Sequence, residues 1–283
     1  MKNMLTILIS VLLFLSSCDS SRDKTTTALT PLVKITSSEP GWIYLDGKYT
    51  GYKTPKELVV SQGEHIVGVA LEQSNTYLRN SIVIDEEKTE LHLSENDLQQ
   101  PKIWKALWIG IHEAEGVVAG NTVSTHFSTE ELDAAHDYFQ WSLREHFEKF
   151  SYGTMKWESE RIDLTEPVAL NHSQNGWYVL EPSTIYSHLP NIKDGDYDCI
   201  FTFWREKEGT VSFASSYFGL GWTNPMAEAK KIGYVTIKFD AGDHIADAIN
   251  YYKNNDPGVW VHEWLHTVGE NFFQDKEASS KGR

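Results

Sequence analysis

Cysteine is scarce. Only Cys18 and Cys199 occur in 283 residues, so the chain cannot be a disulfide scaffold, and packing, hydrogen bonds or a metal must hold it. Positive charge is also short: 25 Lys and Arg stand against 40 Asp and Glu, for a net charge of −15. A surface that acidic repels polyphosphate, which excludes nucleic acid as a partner and disfavours anionic lipid patches. There is no phosphate-binding glycine loop and no nucleophile elbow; Gly219-Leu220-Gly221-Trp222 reads as a turn with no helix signal behind it. What is abundant is apolar and aromatic surface, at 40% and 12% of residues, enough for one sizeable core and a smaller one. Cys199 lies in the apolar run Tyr197–Trp204 and reads as a small buried hydrophobe.

The one long apolar run is at the start. Met1-Lys2-Asn3-Met4 is followed by Leu5 to Leu15 and then small residues, the layout of a secretory signal over residues 1–17, too short and one-sided to span a membrane. Leu15-Ser16-Ser17-Cys18 resembles a bacterial lipobox. The resemblance implies acylation of Cys18, a lipid anchor, and a place at the outer membrane or cell surface; ordinary signal cleavage is the other reading. Residues 18–31, with Ser20, Ser21 and Thr25-Thr26-Thr27, lack apolar periodicity and read as a flexible tether.

Residues 32–95 are a succession of short alternating segments separated by Pro40-Gly41, Asp46-Gly47 and Gln62-Gly63, the pattern of a small antiparallel β-sandwich. The residues Ser38, Pro40-Gly41, Tyr44-Leu45-Asp46-Gly47, Gly51, Thr54-Pro55, Leu58 and Gly63-Glu64-His65 resemble a PEGA domain, with Trp42 as a departure. The resemblance implies a spacer or surface-binding role, with cell-wall glycan a candidate partner, and brings no catalytic residues. Trp42, Tyr44 and Tyr49 are expected in core and turn packing.

From 101 to 283 the pattern turns α/β. Ile103–Ile111 reads as a buried strand, and Ser128 with Glu131 forms a capping box. Leu132, Ala135, Phe139, Leu143, Phe147 and Phe150 mark one face of a long helix. Met155–Leu164, Tyr197–Trp204 and the alternating Gly233–Phe239 read as further strands, the last an edge strand. His112-Glu113-Ala114-Glu115 reads as a loop. Asp256 and Pro257 suit the N-cap and first position of a helix that carries His262-Glu263-Trp264-Leu265-His266. On a helix His262 and His266 are one turn apart and converge, the arrangement in which two imidazoles bind zinc and Glu263 serves as general base. Trp264 and Leu265 are expected to face the core.

This order resembles the N-terminal subdomain of zincin metallopeptidases. The resemblance implies Zn2+ on His262 and His266, hydrolysis of a protein or peptide substrate, and a substrate-pairing edge strand, Gly233–Phe239, with Tyr234 and Thr236. His266-Thr267-Val268-Gly269 resembles the metzincin H-x-x-G, but Phe272 stands where that family places a third His. The third ligand is therefore unassigned: Glu270, Asp275 and His244 are the candidates, and a full C-terminal subdomain is not expected before Arg283. The whole reads as an α+β chain, a small β-sandwich followed by a zincin-type half-domain with a mixed sheet and an active-site helix. A lipid-anchored zinc metallopeptidase is one reading; a non-catalytic surface-binding or scaffolding lipoprotein with a degenerate zincin fold is the alternative.

Overall fold

The computed structural model describes residues 31–85, 88–213, 215–222, 232–239 and 244–272, with the side chains of 88 and 269–272 outside the description. The fold is α+β and rich in strands. The N-terminal part comprises β1 (Leu32–Ser37), β2 (Gly41–Leu45), β3 (Lys48–Lys53), β4 (Lys56–Val59), β5 (Gly63–Leu71), β6 (Thr76–Ile84) and β7 (Lys88–Leu93). These strands form a sheet ordered β4-β1-β7 and a second ordered β3-β2-β5-β6. Alternate residues of both, among them Val33, Ile35, Ile43, Val67, Val69, Leu78 and Leu93, meet in one apolar core.

Two expectations change here. The pairing is not wholly antiparallel, because β7 returns alongside β1 in parallel register. Trp42, Tyr44 and Tyr49 are not core residues either. Ile43 takes the inward position, so its neighbours Trp42 and Tyr44 face outward, where Trp42 packs edge-on to Tyr49 at 5.5 Å and Tyr44 to Tyr77 at 5.8 Å.

The second part is built on β8 (Lys102–Ile111), β11 (Met155–Leu164), β15 (Cys199–Arg205), β18 (Gly219–Trp222) and β19 (Gly233–Phe239), a mixed sheet ordered β11-β8-β15-β19-β18. All neighbours are parallel except β18, which runs antiparallel to β19. Both faces are buried at the centre, so β15 and the second half of β8 read as continuous apolar runs, while the edge strand β11 carries polar residues through much of its length. Cys199, Phe201 and Phe203 of β15 point to one face, Ile200 and Trp204 to the other.

The first face is covered by α1 (Thr129–Ser142), by its π-helical continuation Leu143–Glu148, by α3 (Ile245–Asn255) and by α4 (Val259–Phe272). The second is covered by α2 (Pro182–His188), by the hairpin of β9 (Glu113–Val118) and β10 (Asn121–His126), and by short strands. The short strands are β12 (Val168–Ala169), β13 (Asn171–His172), β14 (Tyr178–Val179), β16 (Lys207–Glu208) and β17 (Val211–Ser212). No helix of the described residues is long and apolar enough to cross a membrane.

The cap expected for α1 is present: Ser128 Oγ accepts from the Glu131 amide, and the Glu131 carboxylate accepts from the Ser128 amide. Phe150, however, is 69% exposed, because the wider π turn shifts the apolar stripe after Phe147. The segment 112–115 is largely strand, since Ala114 alternates inward against Thr125 on β10. Cys199 is fully buried, and burial pushes its thiol pKa well up.

α4 is fixed by aromatic packing. Trp260, wholly buried, stands 5.1 Å from Phe139 and 5.9 Å from Phe201, and Trp264 sits among Trp104, Phe147 and Trp157 at 5.3–5.6 Å. Leu265, expected in the core, is 54% exposed; one residue beyond Trp264 the helix has turned by about 100° onto its solvent side. Trp260→Ala is therefore expected to cost about 3–5 kcal/mol, and Leu265→Ala to stay within about 0.5 kcal/mol, in chemical denaturation of the two variants. Equal losses would contradict this orientation of the helix.

Candidate metal centre

α4 starts later than its sequence suggests. Asp256 ends α3, its amide bonding to the Tyr252 carbonyl at 2.9 Å, and the first turn of α4 is closed by His262 N–H to Gly258 O at 2.8 Å. With Trp260, Trp264 and Thr267 turned inward, the helix presents His262 exposed and His266 half-buried on its other side. The two rings stand at 76° with Nε2 to Nε2 at 3.3 Å. Two nitrogens bound to a tetrahedral zinc at about 2.0–2.1 Å lie roughly 3.3–3.4 Å apart, so the separation of this pair matches that of two ligands on one zinc. The same separation also serves an N–H···N hydrogen bond, given complementary tautomers.

Glu263 lies between these histidines and the sheet and is buried. Its carboxylate Oε2 accepts from the Gly221 amide at 2.8 Å. Desolvation pushes its pKa above the ordinary carboxylate value, an effect partly offset by His262, His266 and the Gly221 N–H.

Gly221 lies on β18, which among the described residues pairs with β19 on one side only. Lys238 donates its amide to Phe218 O at 3.0 Å, so in antiparallel alternation Phe218, Leu220 and Trp222 bond to β19 while Gly219 and Gly221 direct their polar groups outward. Glycine is required at both. A Cβ on Gly219 would meet Glu263 Cγ at 2.6 Å, and one on Gly221 would meet His266 Cβ at 2.9 Å and collide with the Glu263 carbonyl. β18 thus passes directly against the paired-histidine helix.

The edge-strand expectation for Gly233–Phe239 is corrected by this topology. β19 is interior, paired on both sides, and Tyr234 and Thr236 are 1% and 0% exposed. Among the described residues this end of the sheet is 219–222, which the sequence presents as a turn. Its signal was available: two glycines at alternate positions lie on one face of a strand and mark close approach. Tyr217 is buried, its hydroxyl donating to Tyr178 O, while Phe218 is 60% exposed against Tyr252 and Trp222 is half-buried beside Tyr234.

The stretch before β18 is anchored by a buried ion pair that no local pattern announces. Lys238 Nζ, on β19, stands 2.5 Å from the Glu206 carboxylate and donates to Ser215 O at 2.9 Å; the Ser215 amide donates to the same carboxylate at 3.0 Å. Lys238 also lies over the Tyr217 ring at 4.9 Å.

Of the third-ligand candidates, only His244 has a described side chain. Among the described residues no group of three or more His, Cys, Asp or Glu could hold a metal, so His244, exposed in extended backbone ahead of α3, does not join His262 and His266. Glu270 lies on α4 with its side chain outside the description, and Asp275 and Cys18 fall outside the described residues.

Fold and site together define a strand-rich α+β protein whose paired-histidine helix packs at a sheet edge. The sequence model of the PEGA domain matches residues 30–97. No curated protein matches the chain. Among solved structures, the crystal structure of metalloproteinase-II from Bacteroides fragilis is similar at 10% identity over 77% of this chain and 72% of that one, with a TM-score of 0.28. A superposition that loose carries no inference about fold or activity.

Lys238→Met leaves the Glu206 carboxylate buried without its counter-charge, and is expected to cost about 3–5 kcal/mol in denaturant unfolding. The double variant Lys238→Met/Glu206→Leu is expected to recover most of that loss. A single variant as stable as the parent would contradict the anchoring role.

Proposed function

We propose that this chain is a zinc-dependent peptidase in which His262 and His266 hold the metal and Glu263 is the general base. The observation that carries the reading is the 3.3 Å separation of the two Nε2 atoms beside a buried carboxylate. Zinc bound there would acidify a water and polarise a carbonyl. Glu263 suits the rest of the chemistry: desolvation raises its proton affinity toward the range in which a carboxylate can take a proton from water and return it to a leaving amine. The outward polar groups of Gly219 and the outward Gly221 carbonyl, unpaired among the described residues, offer a peptide a strand edge alongside that carboxylate, whose own bond takes the Gly221 N–H. In this reading the second part of the chain is a zincin-type half-domain, the first a PEGA-like sandwich, and a lipid on Cys18 holds both at a bacterial surface.

One observation favours a second reading, a non-catalytic surface-binding lipoprotein with a degenerate zincin site: the described residues supply two metal ligands and no third. The two part on one comparison. Zinc-loaded parent chain is expected to cleave unfolded casein, and Glu263→Gln to bind zinc but lose about 10²–10⁴-fold in rate. Equal rates for parent and variant, or no cleavage by either with zinc bound, would reject the peptidase.

A further inference from the structure

Where the two parts of the chain meet, the surface folds into a cavity of about 440 Å³, within the usual range for small-molecule sites. Tyr77 and Arg79 line it from β6, Gln99 and Gln100 from the connecting segment, and Lys102 and Thr154 from the second part. Its walls are tied together by main-chain bonds. Gln99 N–H donates to Tyr77 O at 2.9 Å, Leu98 bridges to Leu78, and Lys102 N–H donates to Thr154 O at 2.8 Å. The cavity is thus preformed, which lowers the ordering cost of binding.

Its charge opposes that of the chain. The lining holds one carboxylate, Asp46, against two cations: its Oδ1 accepts from the Ile66 amide at 2.9 Å and its Oδ2 meets His65 Nδ1 at 2.8 Å, and these bonds lower its pKa and keep it an anion. Arg79 and Lys102 have no carboxylate partner among the described residues, although Lys102 Nζ lies 4.6 Å over the Trp104 ring. On a chain of net charge −15 this leaves a cationic concavity. Ile66 is its one aliphatic side chain, so it does not suit an apolar ligand. Two carboxamides and two hydroxyls match a polyhydroxylated molecule, with the Thr154 hydroxyl, which donates to Ser151 O, left to accept, and Gln99 Nε2, which donates to Gln100 O, keeping a second hydrogen; two cations match its carboxylate, and Tyr77, packed against Tyr44, offers a ring.

We propose that this junction cavity binds an acidic saccharide, its carboxylate held between Arg79 and Lys102 and its hydroxyls by Gln99, Gln100 and Thr154. The site is independent of the peptidase reading. It gives the N-terminal part and the junction a recognition role, so that an acidic glycan would hold both parts in one arrangement.

Calorimetric titration of the full chain with trigalacturonate tests the proposal, with cellotriose, inorganic phosphate and triglutamate as parallel probes. Saturable binding of trigalacturonate is expected, weakened at least about tenfold by Arg79→Gln/Lys102→Gln, since each charge-assisted hydrogen bond lost is worth about tenfold. Both side chains are exposed, so that variant is expected to fold with unchanged circular dichroism. Gln100→Glu, which puts a carboxylate in the lining, is expected to weaken binding similarly. Cellotriose, phosphate and triglutamate are each expected to bind at least about tenfold more weakly. No binding of trigalacturonate, or binding that neither variant changes, would overturn the site. Equal binding of cellotriose would show that the cations play no part, and equal binding of phosphate or triglutamate would replace the saccharide by a simple anion or an acidic peptide.

Discussion

The contact between α4 and the short edge strand β18 is the constraint on which the rest of the second part depends. Two glycines remove the side chains that would hold helix and strand apart, and the Gly221 amide then reaches the Glu263 carboxylate at 2.8 Å. On the opposite side of the helix Trp260 and Trp264 are locked among the aromatic side chains of the sheet and α1. Both sets of contacts fix the rotation of α4, and that rotation decides which residues face outward. His262 and His266 are placed side by side as a consequence, with Glu263 buried beneath them.

Burying a carboxylate is costly unless it is hydrogen-bonded or paired. Here one backbone N–H and two nearby imidazoles partly offset the desolvation, which leaves a group whose proton affinity is raised and whose position is fixed. A purely structural acid would gain more from a full ion pair, as Glu206 does with Lys238. The two buried carboxylates differ in their partners: Glu206 faces a lysine, and Glu263 a backbone N–H with the paired histidines beside it. At the junction cavity two cations, Arg79 and Lys102, line the same concavity as a single carboxylate, Asp46, and neither has a carboxylate partner among the described residues.

Much of this was legible in the sequence, for reasons that can be named. β8 and β15 were marked by apolar runs of strand length, β19 by its alternation, α1 by its capping box, and the paired histidines by their spacing. What failed did so through tertiary context. Gly219-Leu220-Gly221-Trp222 has the local composition of a turn and becomes a strand only because β19 offers it a partner and α4 needs close approach. The same pairing takes Tyr234 and Thr236 from an edge to the interior. Phe150 and Leu265 were misplaced by small rotations, the first by a π turn and the second by the step past Trp264. The Lys238–Glu206 pair and the junction cavity unite residues distant in the chain, which no local pattern reports.

The central claim is that His262 and His266 form one half of a metal centre, and zinc stoichiometry by equilibrium dialysis tests it most directly. The account predicts one tightly bound zinc per chain in the parent protein, retained in Glu263→Gln and lost in His262→Ala and in His266→Ala, with all three variants folded. Absence of bound zinc in the parent, or zinc retained when both histidines are replaced, would contradict it.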